Sequence, residues 1–435
     1  VFLVQNFLQN MHILLLGSGG REHALARKMA QSPLCEKLFI APGNGGTLQF
    51  GANIAIGVND FAAMEGFVMQ EKIDLIVVGP EDPLVNGVYD HFTERGVAVI
   101  GPSKQAAQLE GSKAFSKKFM ARQGIPTAAY AEFTAENFEE GKAYLAKHAL
   151  PIVLKADGLA AGKGVVICQS HEEAQQVFEE MIVNHQFGEA SSRVVVEQFL
   201  DGIEISVFVL TDGRHYKIIG HAKDYKRIGV GDTGLNTGGM GCVSPVPFAE
   251  GAFMQKVIDR IIEPTINGFH QENLVYKGFV FFGLINVEGE PFVIEYNCRM
   301  GDPETEVVLP RLKTDLVELF LKLNKGELGS AEVDIDTRAA ATVMAVSGGY
   351  PGDYEKGKVM ELPAELPVDT FLYHAGTQLQ EDGTIVTNGG RVITATALAP
   401  TIQQAAVLAK SVIGQVQFEG SYYRKDIGYE FEGGA

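Results

Sequence analysis
Residues 292–306 read FVIEYNCRMGDPETE, and within them Glu295 and Asn297 stand two apart. In a strand that spacing puts both side chains on one face, which offers two oxygen donors of the kind Mg²⁺ prefers. Arg299 continues the alternation. A guanidinium there can hold a carboxylate or stabilise charge growing on a reacting acyl oxygen. The plainer alternative is a solvated strand face with incidental polar alternation, against which the adjoining GDPETE weighs.

A second group of residues lies in VLKADGLAAGKGVVI, residues 153–167. A P-loop needs G-x-x-x-x-G-K followed by a hydroxyl residue that ligates Mg²⁺. Here the first glycine is one residue too close and Gly164 stands in place of the hydroxyl, so metal must be held elsewhere. The flanking apolar runs predict two strands, with DGLAAGKG as a hairpin tip able to fold over a triphosphate, a mobile surface turn being the competing reading. Gly158, Gly162 and Gly164 permit close backbone approach, while Lys155 and Lys163 supply charge. Farther on, VVVEQFLDGIEISV (194–207) predicts strand, link and strand. The link's free backbone groups can hydrogen-bond an adenine edge, with Glu197 accepting from its amino group and Glu204 positioned for ribose hydroxyls; taken alone, the stretch reads as an ordinary strand pair.

GSGGREHALARK (17–28) follows a strand and opens a helix, where free N–H groups attract anions. The dinucleotide pattern G-x-G-x-x-G fails at Glu22, so a single phosphate suits this turn better than NAD. A tight turn that needs glycine for sterics alone is the competing reading. APGNGGT (41–47) and GPEDPLVNG (79–87) also follow strands, so three loops converge at one sheet edge, where α/β folds bind ligands. Residues 221–245, HAKDYKRIGVGDTGLNTGGMGCVSP, read as a long Gly-rich functional loop carrying Asp224, Lys226, Arg227, Asp232 and Asn236.

These loops need elements to position them. HILLLG (12–17), LFIA (38–41), DLIVVG (74–79) and VAVIG (97–101) alternate with helix-like stretches, which indicates βαβ units and a parallel sheet. Residues 111–127 predict a basic amphipathic helix with Ser112 as N-cap and Gly124 as its stop. Strands dominate to about residue 329, and the last hundred residues alternate strand patterns with one helix near 402–414. The expected organisation is an extension at 1–10, an α/β domain at 11–110, a central domain at 111–330 with a lid at about 128–200, and a C-terminal domain at 331–435.

A chain of 435 residues exceeds one average core, since domains run to roughly 100–200 residues. The formal charge of −18 opposes general affinity for nucleic acid or membrane surfaces, so bound phosphates must meet local basic loops. Four scattered cysteines read as reduced thiols in a cytoplasmic protein, and zinc is not expected. The opening VFLVQNFLQN lacks the basic flank and cleavage site of a signal peptide, so folded structure is expected from Met11.

Taken in order, the glycine-lysine hairpin, the E-x-F-L link and the E-x-N strand resemble the ATP-grasp superfamily. With GSGGREHA, GPEDPL, LNTGGMG, EYNCRMGDPETE and the terminal YRKDIG, the chain from Met11 resembles the glycinamide ribonucleotide synthetases, a family of phosphoribosylamine–glycine ligases. The resemblance implies an α/β and α+β multidomain protein. Its parts would be an N-terminal Rossmann-like parallel-sheet domain, an ATP-grasp fold with a mobile hairpin lid, and a C-terminal α+β domain. It implies ligation of glycine to 5-phosphoribosylamine at the expense of ATP, through glycyl phosphate, in purine synthesis. The partners would be these small molecules, with neither nucleic acid nor membrane, and the chain is read as a monomer.

By the same resemblance, Lys113, Lys155 and Lys163, with Gly158, Gly162 and Gly164, would contact ATP phosphates or the nucleotide cleft. Glu197, Leu200 and Glu204 would contact base and ribose, and Glu295 and Asn297 would bind Mg²⁺ or Mn²⁺. Gly19, Gly20, Arg21, Glu22, Pro80 and Glu81 would hold phosphoribosylamine. Arg299 and Asp224 would lie near glycine and, with Lys163, serve the chemistry. Two departures stand out: FFGLINV (281–287) lacks the acidic metal ligand many superfamily members carry there, and Gln198 follows the hinge glutamate where an acid is common. The alternatives are another ATP-grasp ligase or carboxylase, and a nucleotide sensor without turnover.

Overall fold
The structure, a computed structural model, describes residues 10–159 and 164–431. Gly162 and Lys163, and the extension up to residue 9, lie outside the described residues. The chain opens with β1 (Met11–Gly17), β2 (Cys35–Pro42), β3 (Ala52–Asn53), β4 (Leu75–Val78) and β5 (Ala98–Pro102). They pair in parallel in the order β5-β4-β1-β2-β3. Every residue of β4 is buried, as expected of a parallel strand covered on both faces. The four apolar runs therefore sit on strands, and the three glycine loops leave the same edge.

Helix Lys113–Gln123 follows. The Ser112 hydroxyl caps it by accepting from Phe115 N at 3.1 Å, and Gly124 ends it at φ 65°. Next, β6 (Tyr130–Thr134), β7 (Ile152–Ala156), β8 (Val165–Cys168) and β9 (Arg193–Gln198) form a four-stranded antiparallel sheet ordered β6-β9-β7-β8. It has a small core of its own, built on Phe133, Leu154, Phe178 and Val196.

The central frame holds β10 (Ile203–Thr211), β11 (Tyr216–Asp224), β12 (Arg227–Gly229), β13 (Thr233–Asn236), β14 (Gly241–Ser244), β15 (Tyr276–Val287) and β16 (Glu290–Asn297). The C-terminal segment adds β17 (Ala339–Val346), β18 (Thr370–His374), β19 (Thr377–Leu379), β20 (Ile385–Thr387), β21 (Arg391–Ala399) and β22 (Tyr422–Tyr423), with helix Ile402–Ile413. Among the described residues fourteen strands join into one mixed sheet along β18-β21-β17-β14-β11-β10-β15-β5-β4-β1-β2-β3, with β16 on β15 and β22 on β17. Pairing of β15 with β5, and of β14 with β17, carries that sheet across all three segments.

One expectation is corrected. Residues 221–245 are not a long structureless loop: β11 runs to Asp224, β12 and β13 make an antiparallel hairpin, and β14 enters the large sheet. The glycines weaken a strand assignment from sequence: Gly231 lies in the hairpin turn at φ 69°, and Gly234 within β13 at φ 79°. Among the described residues no helix is long and apolar enough to cross a membrane, and the four cysteines are free thiols.

Candidate active site
The cleft is built along β16. Glu295 and Asn297 lie on that strand opposite Gly283 and Phe281 of β15. Gly283 belongs to the run that lacks an acidic residue. A Cβ there would press against the Glu295 side chain, so the glycine makes room for that side chain. Two oxygen donors on one strand suit a hard divalent ion that keeps waters and takes its remaining ligands from substrate phosphates. The donor set thus fits such an ion.

Three lysines surround this strand. Lys155 on β7 reaches from the four-stranded sheet to the Ile294 carbonyl at 3.4 Å and pairs with Glu197 at 2.9 Å. Lys117 pairs with the same Glu197 oxygen at 3.2 Å, and burial pushes this lysine down to about 8. The second Glu197 oxygen is buried and has no partner among the described residues. Lys113 opens its helix and donates to the Gly158 carbonyl at 3.1 Å. Burial lowers Lys113, against the pull of Glu295. Gly164 accepts from Ala156 N at 2.8 Å just before β8, so both described ends of the glycine tip are fastened: one to β7, the other to Lys113.

Leu200 lies half-buried in the link between β9 and β10. Glu204 at the start of β10 is ion-paired to Lys226. Lys226 loses to burial but gains more from Asp224, Glu204 and Glu295, which hold its pKa well above the ordinary value. Asp224, at the end of β11, is raised by burial against the pull of Lys226.

At the other end, Arg299 has left the strand, since β16 stops at Asn297. Its guanidinium pairs with Glu110 at 2.6 Å and Glu81 at 3.3 Å. Burial raises Glu110 to about 7, opposed by Arg299. Burial also works on Glu81, but Arg299 and Arg21 outweigh it and lower that carboxyl. Pro80 caps the helix Glu81–Asn86, so the loop after β4 delivers Glu81 to the arginine.

In the first glycine loop the protein's own carboxylates engage the turn. Glu22 accepts the Gly19 N–H at 2.5 Å and Arg21 Nε at 2.5 Å, while Asp302 accepts the Arg21 N–H at 3.1 Å. Two of the helix-terminus donors expected for a phosphate are therefore taken by the protein's own carboxylates. Gly17 and Gly79 are explained the same way, because a Cβ on either would collide with the Glu22 side chain. A methyl group on Gly20 would run into Glu306, a buried acid whose pKa burial raises.

Sequence reasoning missed Glu110, Lys117, Asp302, Glu306 and Arg391. Arg391 pairs with Asp302 at 3.1 Å across 89 residues, and Glu110 reaches Cys298 across 188. Only chain closure brings such partners together. The residues expected to serve catalysis and binding that are described do converge: Arg21, Glu22 and Glu81 at one end, Arg299 in the middle, and Asn297, Glu295, Lys113, Lys155, Glu197, Glu204 and Asp224 toward the other.

The chain matches the models for phosphoribosylglycinamide synthetase over its N domain (residues 11–110), ATP-grasp (A) domain (111–305) and C domain (340–430). It is 48% identical to phosphoribosylamine–glycine ligases of Salmonella typhimurium and Escherichia coli K12, over 96% of this chain and 98% of each relative. A crystal structure of phosphoribosylamine–glycine ligase from Thermotoga maritima superposes with TM-score 0.83 and 36% identity, covering 96% of this chain and all of that one. Biotin carboxylase from Campylobacter jejuni shares the fold, with TM-score 0.73 at 15% identity over 98% of this chain and all of that one.

Proposed function
The chain belongs to the phosphoribosylglycinamide synthetase family, and from that premise we infer how its residues carry out the ligation. It is an ATP-dependent, ADP-forming ligase of purine biosynthesis that joins glycine to 5-phosphoribosylamine. The observation that carries the assignment of parts is Arg299, bound to both Glu110 and Glu81. It stands between the strand of oxygen donors and the loops of the first domain, where an activated carboxylate would meet an amine.

A carboxylate acylates poorly, so a glycine oxygen first attacks the γ-phosphorus of ATP and ADP leaves. The amine of phosphoribosylamine then attacks the carbonyl carbon, the C–O bond breaks, and phosphate departs. Such steps need positioning and charge neutralisation more than a protein nucleophile. Lys113 and Lys155 would face the phosphates with the backbone of Gly158 and Gly164; Gly162 and Lys163 of the same tip belong to this assignment by sequence alone. The unpartnered Glu197 oxygen suits an amino donor such as the adenine edge, with Leu200 beside the base and Glu204 toward the ribose.

Arg299 would neutralise the acyl oxygen, with Asp224 toward the glycine end. Gly19, Gly20, Arg21, Glu22, Pro80 and Glu81 would hold phosphoribosylamine. Glu295 and Asn297 would hold Mg²⁺ or Mn²⁺, which when bound supplies charge neutralisation at the phosphates. The four-stranded sheet would act as the lid that excludes water from the acyl phosphate. The chain acts as a cytoplasmic monomer in this reading.

Glycine labelled with ¹⁸O in its carboxylate tests the sequence of steps. One labelled oxygen should appear in inorganic phosphate per turnover with ATP, Mg²⁺ and phosphoribosylamine. Unlabelled phosphate beside normal product would exclude glycyl phosphate.

A further inference from the structure
Arg424 is fully buried, with 0% exposure, in a segment far from the cleft in sequence. Its guanidinium pairs with Asp232 at 2.6 Å and with both oxygens of Asp426 at 2.9 and 2.7 Å, and donates to the Arg227 carbonyl at 3.1 Å. Burying such a charge is costly unless its partners are well placed. What it fastens is not core. Asp232 lies in the turn of the β12–β13 hairpin, where Val230 and Leu235 are 53% and 66% exposed.

The hairpin's other end faces the cleft. Thr237 donates its N–H and its hydroxyl to the Lys226 carbonyl, each at 2.8 Å, closing the hairpin at its base. The Lys226 side chain pairs with Glu204 and lies within the field of Asp224 and Glu295. The field of Glu295 reaches Lys113 as well, and Lys155 bonds the Ile294 carbonyl of the same strand, so the strand that offers oxygen donors has lysines from three elements. Of the three, only Lys226 rides on a hairpin bolted at its far end to the C-terminal segment. Gly231 N on Asp426 at 2.8 Å and Tyr429 on Asp232 at 2.9 Å complete that attachment.

We propose that Arg424 is a positioning residue for the nucleotide site: it fixes the β12–β13 hairpin so that Lys226 is presented to the terminal phosphate of ATP beside Glu295. The proposal rests on the ATP-ligase reading and adds to it a role for the C-terminal segment. Before nucleotide arrives, Glu204 neutralises Lys226; a triphosphate competes for the same ammonium.

Calorimetric titration of the full chain with a non-hydrolysable β,γ-imido analogue of ATP, and separately with ADP, both with Mg²⁺, tests this. Arg424→Met should weaken the triphosphate analogue by roughly tenfold or more, and ADP by less than roughly twofold. Arg424→Lys should restore most of the loss, and Arg424→Met should cost nothing further in a Lys226→Met background. If Arg424→Met does not fold, Asp232→Asn, which removes one partner at the exposed turn, should give the same selective loss. A folded variant with unchanged triphosphate affinity, an equal loss for both nucleotides, or full additivity with Lys226→Met would overturn the proposal. The titration needs no turnover, so its outcome stands whether or not labelled oxygen from glycine reaches phosphate.

Discussion

Glu110 binds the Cys298 N–H with one carboxylate oxygen at 2.6 Å and the Arg299 guanidinium with the other, also at 2.6 Å. One buried acid thus sets both the path of the chain past β16 and the direction of its arginine.

Glu110→Gln keeps an acceptor for the Cys298 N–H but surrenders the ion pair. Loss of kcat/KM for glycine should be roughly tenfold to a hundredfold, about 1.4–2.7 kcal/mol. Steady-state kinetics with glycine varied at saturating ATP would check it. An unchanged KM and kcat for glycine would make the pair a structural brace only.

Glu197→Gln should act on stability as well as binding. It leaves Lys117 and Lys155 facing each other in a buried site without their shared carboxylate. Removing one partner of a buried ion pair costs about 3–5 kcal/mol. The loss should be local, appearing as faster hydrogen exchange in β6–β9 while β1, β4 and β5 stay protected, and binding of an ATP analogue should weaken with it.

For Glu295→Gln the expectation is the reverse in kind. The residue is exposed in the cleft, so the nucleotide-free protein should change by no more than about 0.5 kcal/mol. The Mg²⁺ concentration for half-maximal turnover should rise by roughly tenfold or more, since a hard ion loses an anionic donor. An unaltered metal titration would remove Glu295 from the metal site.

A fourth prediction concerns pH. His23 and His374 join the first and last segments, with His374 N donating to His23 Nδ1 at 2.8 Å. Burial lowers them to about 3 and about 4. Their folded values lie below the unfolded 6.5, so the unfolded chain takes up protons first. Their contribution is therefore whole above about pH 6.5 and is lost as pH falls through about 4 for His374 and about 3 for His23, on the order of 1 kcal/mol per pH unit for each histidine. Urea unfolding at a series of pH values should show this acid limb. His23→Asn, which keeps an acceptor without the titration, should flatten it.

The fold was readable where a single period governs a run. HILLLG and DLIVVG became β1 and β4 because buried parallel strands are apolar throughout, and Ser112 and Gly124 bracket their helix because capping is local chemistry. The Glu295–Asn297 pair was equally legible, being set by the two-residue repeat of one strand. Arg299 was placed on that face by the same rule, and the strand ended first. Residues 221–245 were read as loop because glycines mask short strands whose partners, such as β17 for β14, come far later in the chain. Gly17 was read in a turn that either binds phosphate or needs glycine for sterics, and Gly79 in a loop at the ligand-binding edge; the structure shows the steric need, since both make room for Glu22. Nothing local could have matched Glu110 to Cys298 or Arg424 to Asp232.

The pairing of β5 with β15 and of β14 with β17 makes the first, central and last segments one hydrogen-bonded frame, whereas the four-stranded sheet belongs to none of it. Thr127, which donates to the Val293 carbonyl at 2.7 Å, pins one strap of that sheet to the frame, and residues 199–202 form the other. In the lid reading proposed above, the frame is the fixed jaw of a vice and the four-stranded sheet the moving one. Lys155 belongs to that sheet and Ile294 to the frame, so the 3.4 Å bond between them would gauge closure. Spent nucleotide would then leave as that gauge opens, which would tie the release of ADP, rather than the making of the amide, to the two straps.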